Sequence, residues 1–495
     1  MRGFASLRTD PKPDYDAVVI GAGIGGLICA ALLAKEKLRV LLVEQHYMVG
    51  GYCSTFRRGR YVFDAATHFY PLLGNPMTIT GAVLAGLGSR TKWVKMDPVD
   101  HFHFPDGSSF SVSADFDEYN EALRQTFPHE REALDRFFTS VRDGYLYGLL
   151  YYFRGRRHER FDRLRLQTLR DVLAREFKDR KLQLLLSADC AHWGSPPSRT
   201  SFVFDSMLRL SYFLGNYYPE GGSQVFADDL ARIVEDHGGD ILMRSMVERI
   251  VVENGTAVGV DIATGIGEKR RTVRVKAGRV VANGDLVFTL EKLLGKEVVG
   301  EAAIRDAKAM RPTSPCFLTH IALKNISLAE IEPASGYHWR SWEPDDVVKG
   351  DAFKIFIPTM YEPKMAPPGE QIIILQRIME LRYDDVRDWA KHKADIEADL
   401  MARLEQAIPG IKEHVVLFQS ASALTSWRFT LNHHGAMLGW EMSPDQLGPA
   451  RPATEGPVRN LYFTGHWTRP GGGITPVIVS AVDVAAAITG TRAVT

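Results

Sequence analysis

The residues best equipped for chemistry lie in one short stretch, Gly21-Ala22-Gly23-Ile24-Gly25-Gly26. An apolar run, 17–20, leads into it and a small-residue run, 27–35, leads out; a second apolar run, 40–43, ends on Glu44. Strand, glycine turn, helix, strand and acid in this order make a dinucleotide-binding βαβ unit. Gly21 allows a tight turn off the strand, Gly23 lets the backbone approach a pyrophosphate, and Gly26 lets the helix pack closely on the sheet. Free N–H groups and partial positive charge at the helix start favour phosphate. Glu44, 18 positions past Gly26, falls where a carboxylate accepts hydrogen bonds from ribose hydroxyls. A lone G-x-G-x-x-G is weak evidence; the flanking strand, helix and acid make this one specific.

The elements that must position this unit follow from the rest of the chain. With 495 residues, 45% of them hydrophobic, the chain can fill a large core and more than one domain. Its 60 basic and 60 acidic residues cancel, leaving no nucleic-acid footprint. Cys29, Cys53, Cys190 and Cys316 are scattered without a C-x-x-C, which argues against metal and disulfide frameworks and fits a reducing compartment. No apolar run reaches the roughly 18 residues that span a bilayer. Residues 1–16 carry Arg2 and Arg8 with no apolar stretch behind them, so they read as a loose arm and not a signal peptide. A cytoplasmic protein is the expectation.

Residues 101–112 read as a hairpin. His101 and His103 would share one strand face and, without a third ligand, form no metal site. Residues 116–181 turn helical and charged; the aromatic stretch 145–153 is followed by Arg154, Arg156, Arg157, Arg160, Arg163 and Arg165. A buried helix beside a solvated one accounts for this, and peripheral membrane contact gains weight only with a lipid substrate. Val225, Phe226, Leu230, Ile233 and Val234 make one face of a helix over 224–237, and Asn254-Gly255 turns a hairpin. Near the C-terminal end, an extended run reaches Gly465, and Pro470-Gly-Gly-Gly473-Ile474 precedes an apolar helix with Thr475 as N-cap and Pro476 as first helical residue. Such a glycine run lets backbone lie against a flat ring, and the helix start favours negative charge on it.

Beyond Glu44 the chain continues through Gln45 to Gly50-Gly51, Arg57-Arg58, Phe63-Asp64 and His68. A Gly-Gly pair six positions past the acid resembles the extended FAD signature of the flavin amine oxidase and phytoene desaturase superfamily. The string from Pro358 through Glu362-Pro363 to Pro367-Pro368-Gly369 resembles a proline-rich stretch of carotenoid desaturase-like proteins, although locally it is only a turn between two strands. The resemblance covers most of the chain and is closest to phytoene desaturases, carotenoid isomerases and retinol saturases. It implies an α/β fold: a Rossmann-like FAD domain assembled from 14–75, 217–295 and 431–495, a β-rich substrate domain from 76–125 and 296–430, and a helical cap over 126–216. It implies FAD contacts at Gly21, Gly23, Ile24, Gly25, Gly26, Glu44, Gln45, Gly50, Gly51, Arg57, Arg58 and His68. The adenine would meet the backbone at Val247, and the flavin end would meet Gly465, His466, Gly472, Gly473, Ile474 and Thr475. His466 departs from the superfamily, which usually has Asp or Glu there against the ribityl chain.

The chemistry implied is hydride transfer between a polyene carbon and flavin N5, with a proton leaving the neighbouring carbon. Asp189, His192 and Glu362 are the candidate proton acceptors or cation stabilisers; of His433-His434, at most one would face the site. No second strand–G-x-G-x-x-G–helix unit appears, so electrons would pass to or from an external partner such as oxygen, a quinone or a free reductant. Desaturation or cis–trans isomerisation of a hydrophobic polyene is the favoured reading. The alternatives are a polyene or retinol-type saturase, a fatty-acid isomerase, and an amine oxidase drawing a cage from Tyr462, Phe463 and Trp467. Last comes a non-catalytic lipid carrier like the Rab GDP-dissociation inhibitors, which need not keep both the ribose-binding acid and the flavin-facing glycine run.

Overall fold

Apolar runs and turn residues sort the chain into two large sheets and a helical layer in the computed structural model, which describes residues 6–7, 10–265 and 270–491. The first sheet draws on three separated stretches of chain. Its strand order is Met246–Glu253, Thr256–Thr264, Arg271–Ala282, Asp14–Ile20, Val40–Val43, Asp240–Leu242, with Leu461–Phe463 pairing beside Arg271–Ala282. The strands around Asp14–Ile20 run parallel, and the first three form an antiparallel flap. Parallel strands buried on both faces need continuous apolar sequence, which Val40–Val43 supplies at every position. Ala17 and Val19 face one core, Val18 the other. Helix Ile24–Lys35 is buried at every position but its last, between helices Ser223–Asp236 and Ile474–Thr489. Its sequence, apolar at every position before Lys35, suits that central place.

Asn254 and Gly255, with φ of 49° and 72°, make the hairpin turn of the flap, the two positive angles such a turn requires. The arm expected to be loose is pinned over its described part. The Leu7 N–H donates to the Ile241 carbonyl at 2.8 Å, and Lys12 pairs with Asp240 at 2.9 Å. A backbone bond at a sheet edge leaves no side-chain signature, which is why the arm reads as featureless. Arg2 and Arg8 lie outside the described residues.

The second sheet runs Val415–Ala421, Cys316–Leu323, Gln371–Ile378, Phe353–Phe356, Gly336–His338, Asp100–His103, Ser109–Val112. Strand alternation divides its residues between two environments. Phe317, Ile321, Ile355, Ile373 and Leu375 pack under helix Trp389–Ala407 through Ile396, Leu400 and Leu404. Leu318, Ile374 and Phe356 face the other way, into a core shared with the helices between 116 and 213. In that layer Tyr151 stacks on Phe161 at 4.2 Å and Tyr147 on His158 at 4.3 Å, so the aromatic stretch is partly spent on internal packing. His103 stacks on His338 at 4.2 Å.

Candidate functional site

The glycine turn is shaped by contacts that leave no room for side chains. The Gly21 N–H donates to the Val43 carbonyl at 2.8 Å, with φ of 94°. A Cβ on Gly26 would stand 2.0 Å from the Gly21 carbonyl, and one on Gly25 would stand 2.6 Å from Asn283 Oδ1 and 3.2 Å from the Gly465 backbone. Asn283, at the end of strand Arg271–Ala282, thus underlies the whole turn, and its Nδ2 donates to the Gly21 carbonyl at 3.2 Å. Glu44 spans the turn from the other side: one oxygen accepts the Ala22 N–H at 2.7 Å, the other the His46 N–H at 2.8 Å. Burial raises its pKa, and those backbone donors work against the rise. Each carboxylate oxygen keeps a lone pair for a hydroxyl.

A cavity of about 540 Å³ begins at this turn and ends between the second sheet and the helical layer, within the size range of cofactor sites. Every cofactor position named from the sequence lines it except Gly26 and Arg57. Gly26 faces the helix–strand contact. Arg57 is exposed on strand Thr55–Arg58 and stands outside the lining. Arg58 stays at the cavity and donates to Gln419 Oε1 at 2.6 Å. Helix Ile474–Thr489 begins earlier than expected, with Gly473 (φ 100°) as N-cap, and Thr475 Oγ1 donates to the Pro71 carbonyl at 3.1 Å. Proline lacks an N–H at any first-turn position, so Pro476 could not mark which residue comes first.

These residues fit a flavin dinucleotide. The turn cradles backbone at the start of a helix, Glu44 offers acceptors, and Gly472 and Gly473 pass the opposite wall where a Cβ on Gly472 would meet the Leu438 carbonyl at 2.1 Å. His466 lines the same wall, with Nε2 3.3 Å from Asn432 Oδ1. Burial, with Arg451 behind it, pushes His466 down to about 3, so it serves as a neutral hydrogen-bonding ring. Arg451 is fully buried and donates to four backbone carbonyls, those of Trp440, Glu441, His466 and Thr468, at 2.8–3.3 Å. It ties the strip 440–441 to the strip 466–468 that ends the cavity.

The far half of the cavity is apolar. Phe69, Trp193, Phe204, Leu208 and Leu318 line it, together with His68, His192, His320 and Gln376. Burial, then Lys354 and the two other histidines, holds His68 well below the usual imidazole range, and burial holds His320 at about 4. Among the described residues the only carboxylates lining the cavity, Glu44 and Asp285, stand at the glycine-turn end. Asp285 accepts N–H groups from Phe288 and His433 at 2.7 Å each, and burial raises it to about 7.

Of the acid–base candidates, the cavity takes His192 alone. Its Nε2 lies 3.1 Å from Asp100 Oδ2. Asp189 stands behind, 3.8 Å from His192 and 3.7 Å from Arg209. Glu362 is spent on backbone: it accepts the Gly221 N–H at 2.8 Å and the Lys364 N–H at 3.0 Å, capping the proline-rich turn. Glu362→Gln is therefore expected to cost about 1–2 kcal/mol of stability, since an amide cannot accept both bonds, and to leave turnover per bound flavin unchanged. Denaturant unfolding beside flavin-normalised rates checks this; a lost rate at full flavin content would return Glu362 to the chemistry. Neither His433 nor His434 reaches the cavity, because the His433 N–H is held by Asp285 and His434 pairs with Asp384 at 3.1 Å. Tyr462, Phe463 and Trp467 also lie outside the lining. Sequence reasoning missed Asp100, Asn283, Lys354 and Arg451, none of which carries a local motif.

A family model described as flavin containing amine oxidoreductase matches residues 24–489. The chain is 27% identical over 498 residues to a chloroplastic prolycopene isomerase of Daucus carota, covering 95% of this chain and 79% of that protein. It is 25% identical over 500 residues to a neurosporene-forming phytoene desaturase of Cereibacter sphaeroides, covering 95% and 94%. Among solved structures, putrescine oxidase bound to putrescine superposes with a TM-score of 0.67 at 14% identity, covering 97% of this chain and 99% of that one. At that identity the likeness speaks for the fold.

Proposed function

The chain belongs to the flavin containing amine oxidoreductase family, and from that premise we propose that it is an FAD-dependent oxidoreductase acting on a hydrophobic polyene, by carotenoid-type desaturation or cis–trans isomerisation. The observation that carries the reading is the far half of the cavity: aromatic and aliphatic walls, His68 and His320 held neutral, and no carboxylate among the described lining residues. A cationic amine would find no counter-charge there, whereas an apolar chain loses water on every side. The prolycopene isomerase and phytoene desaturase relatives support a polyene by their names.

When bound, FAD supplies a hydride acceptor and donor at N5. The protein's own work is to hold, orient and dry. The glycine turn and Glu44 would hold the dinucleotide, Val247 would flank its adenine end, and Gly472 and Gly473 would admit the ring. Phe69, Phe204 and Leu208 exclude water from the reacting carbons. Electrons pass to or from an external partner. No described helix is long and apolar enough to cross a membrane. Entry from a membrane surface is supported by Met77, 92% exposed, and Leu214, 44% exposed, whose carbonyl accepts from Asn75. This surface adjoins the chain at Pro71 and Tyr212, which line the cavity.

The test is anaerobic. Flavin-loaded protein is mixed with liposomes carrying a cis-phytoene-type polyene while the visible flavin band and the products are followed. Bleaching with a longer conjugated product identifies a desaturase. A change of geometry only after the flavin is pre-reduced, without net oxidation, identifies an isomerase. Reoxidation of reduced flavin as a double bond disappears identifies a saturase. Flavin-loaded protein inert to all polyenes overturns the proposal.

A further inference from the structure

Three elements far apart in sequence bring a histidine, an aspartate and a lysine together beside the apolar half of the cavity. Asp100 opens a strand of the second sheet, Lys354 sits in a neighbouring part of that sheet, and His192 lies in the short helix Cys190–Trp193 of the helical layer. Asp100 Oδ2 accepts from Lys354 Nζ at 2.6 Å and from His192 Nε2 at 3.1 Å, and its Oδ1 accepts the His101 N–H at 2.9 Å. Lys354 is 2% exposed and lies 3.8 Å from the Phe69 ring centre. Burial disfavours the charged Asp100, but Lys354 and His192 outweigh it and hold Asp100 at about 2; burial likewise pushes Lys354 down against the pull of Asp100.

The chemistry of the pair fixes the ring. An ionised carboxylate only accepts, so the proton of a neutral His192 sits on Nε2. The nitrogen left with a lone pair is Nδ1, on a ring that lines the cavity. Charged groups from two layers surround His192. From the sheet come Asp100 and Lys354; from the helical layer come Asp189 and the pair Asp205–Arg209. Three carboxylates stand against two cations, and the facing His68 and Tyr337 are neutral. Burying five charges costs more than filling the same volume with apolar side chains, which points to a task for the group they surround.

We propose that His192 is the proton acceptor of this cavity, with Asp100 as the positioning residue that fixes its tautomer and Lys354 as the positioning residue that keeps Asp100 ionised. The inference rests on the polyene reading above. In desaturation, one substrate carbon gives a proton to His192 Nδ1, and the electron pair of that C–H bond becomes the new π bond. The neighbouring carbon loses hydride to the oxidised cofactor the family supplies. The ring then carries both protons and its charge is met by Asp100 and Asp189. In the saturating direction the same imidazolium returns the proton.

The experiment uses purified flavin-loaded protein and the polyene liposomes above, following flavin bleaching under anaerobic conditions as a function of pH in wild type, His192→Gln, Asp100→Asn and Asp100→Glu. His192→Gln should keep its flavin content and melting temperature while bleaching slows by 10²–10⁴-fold, the usual worth of a positioned base. In the wild type the rate should rise with pH along one ionisation. Asp100→Asn should move that limb to lower pH, because a neutral neighbour no longer favours the imidazolium, and Asp100→Glu should move it back. A purely structural network would lower flavin content, melting temperature and rate together and leave the limb in place; that pattern overturns the inference. So does a His192→Gln protein that bleaches at the wild-type rate, with the polyene reading intact. A wild type inert to every polyene overturns both.

Discussion

Gly26→Ala is expected to purify without its yellow colour and to melt far below the parent. The added Cβ would sit 2.0 Å from the Gly21 carbonyl and 3.1 Å from the Asn283 side chain, so strand and helix would have to separate by more than an ångström. Neither can move. Helix Ile24–Lys35 is enclosed on all sides, and Asp14–Ile20 is held between two parallel neighbours. Overpacking alone costs about 1–3 kcal/mol, and a clash between backbones cannot be relieved by a rotamer change, so a loss of several kcal/mol is expected together with the cofactor. Gly59→Ala is the control. Its φ of 58° is unusual where Gly26 is helical, but a Cβ there meets nothing within 4 Å, so about 1 kcal/mol and full flavin content are expected. Flavin absorbance per chain and thermal melting of the two variants decide the matter; a yellow Gly26→Ala protein with parental stability would show that the turn does not hold the cofactor.

Arg451→Met is the second large effect. Methionine fills the volume but leaves the buried carbonyls of Trp440, His466 and Thr468 without this donor, the Glu441 carbonyl keeping Gln446 Nε2 at 3.4 Å. Unpaired buried groups cost about 1–3 kcal/mol each; partial relaxation leaves an expected loss of about 4 kcal/mol. The damage should be directional. His466, one of the residues so held, lines the cavity wall at the flavin end, so cofactor dissociation should accelerate more than the loss of global stability explains. Comparing the flavin off-rate with the unfolding midpoint measures this, and equal loss in both would reduce Arg451 to an ordinary core residue. Arg451→Lys should recover only part, because an ammonium cannot match the planar fork across four acceptors.

The parts of the molecule open to sequence reading are those whose physics is local. The glycine turn, Glu44 and Asn254-Gly255 each act within a few residues or one supersecondary unit, so their residue types betray them. The start of the last helix was legible only to within two residues, since the proline that announces it tolerates any first-turn position. The proton site was half legible. His192 and Asp189, one turn apart, are both candidates from the sequence, but the carboxylate closest to His192 is Asp100, 92 positions distant. Lys354 lies 254 positions from Asp100. No periodicity links such residues; only the register of the second sheet brings them together. Glu362 misled in the opposite sense, because an acid in a proline-rich turn looks chemical until its two backbone donors are seen.

The first sheet also sets a timetable. The glycine turn and its strands are made early, yet Leu461–Phe463 must still lie down beside Arg271–Ala282 before Gly465 can close on Gly25 and Asn283. On a ribosome adding about 5–20 residues per second, the interval between the emergence of Glu44 and that of Ile474 is on the order of tens of seconds. Throughout it the nascent chain presents an open-sided nucleotide cleft and an unpaired strand edge. Cofactor loading is thereby deferred until synthesis has passed this region, and the cellular supply of flavin, captured only by the finished cleft, would govern how much of each batch of new chains is secured in the native state.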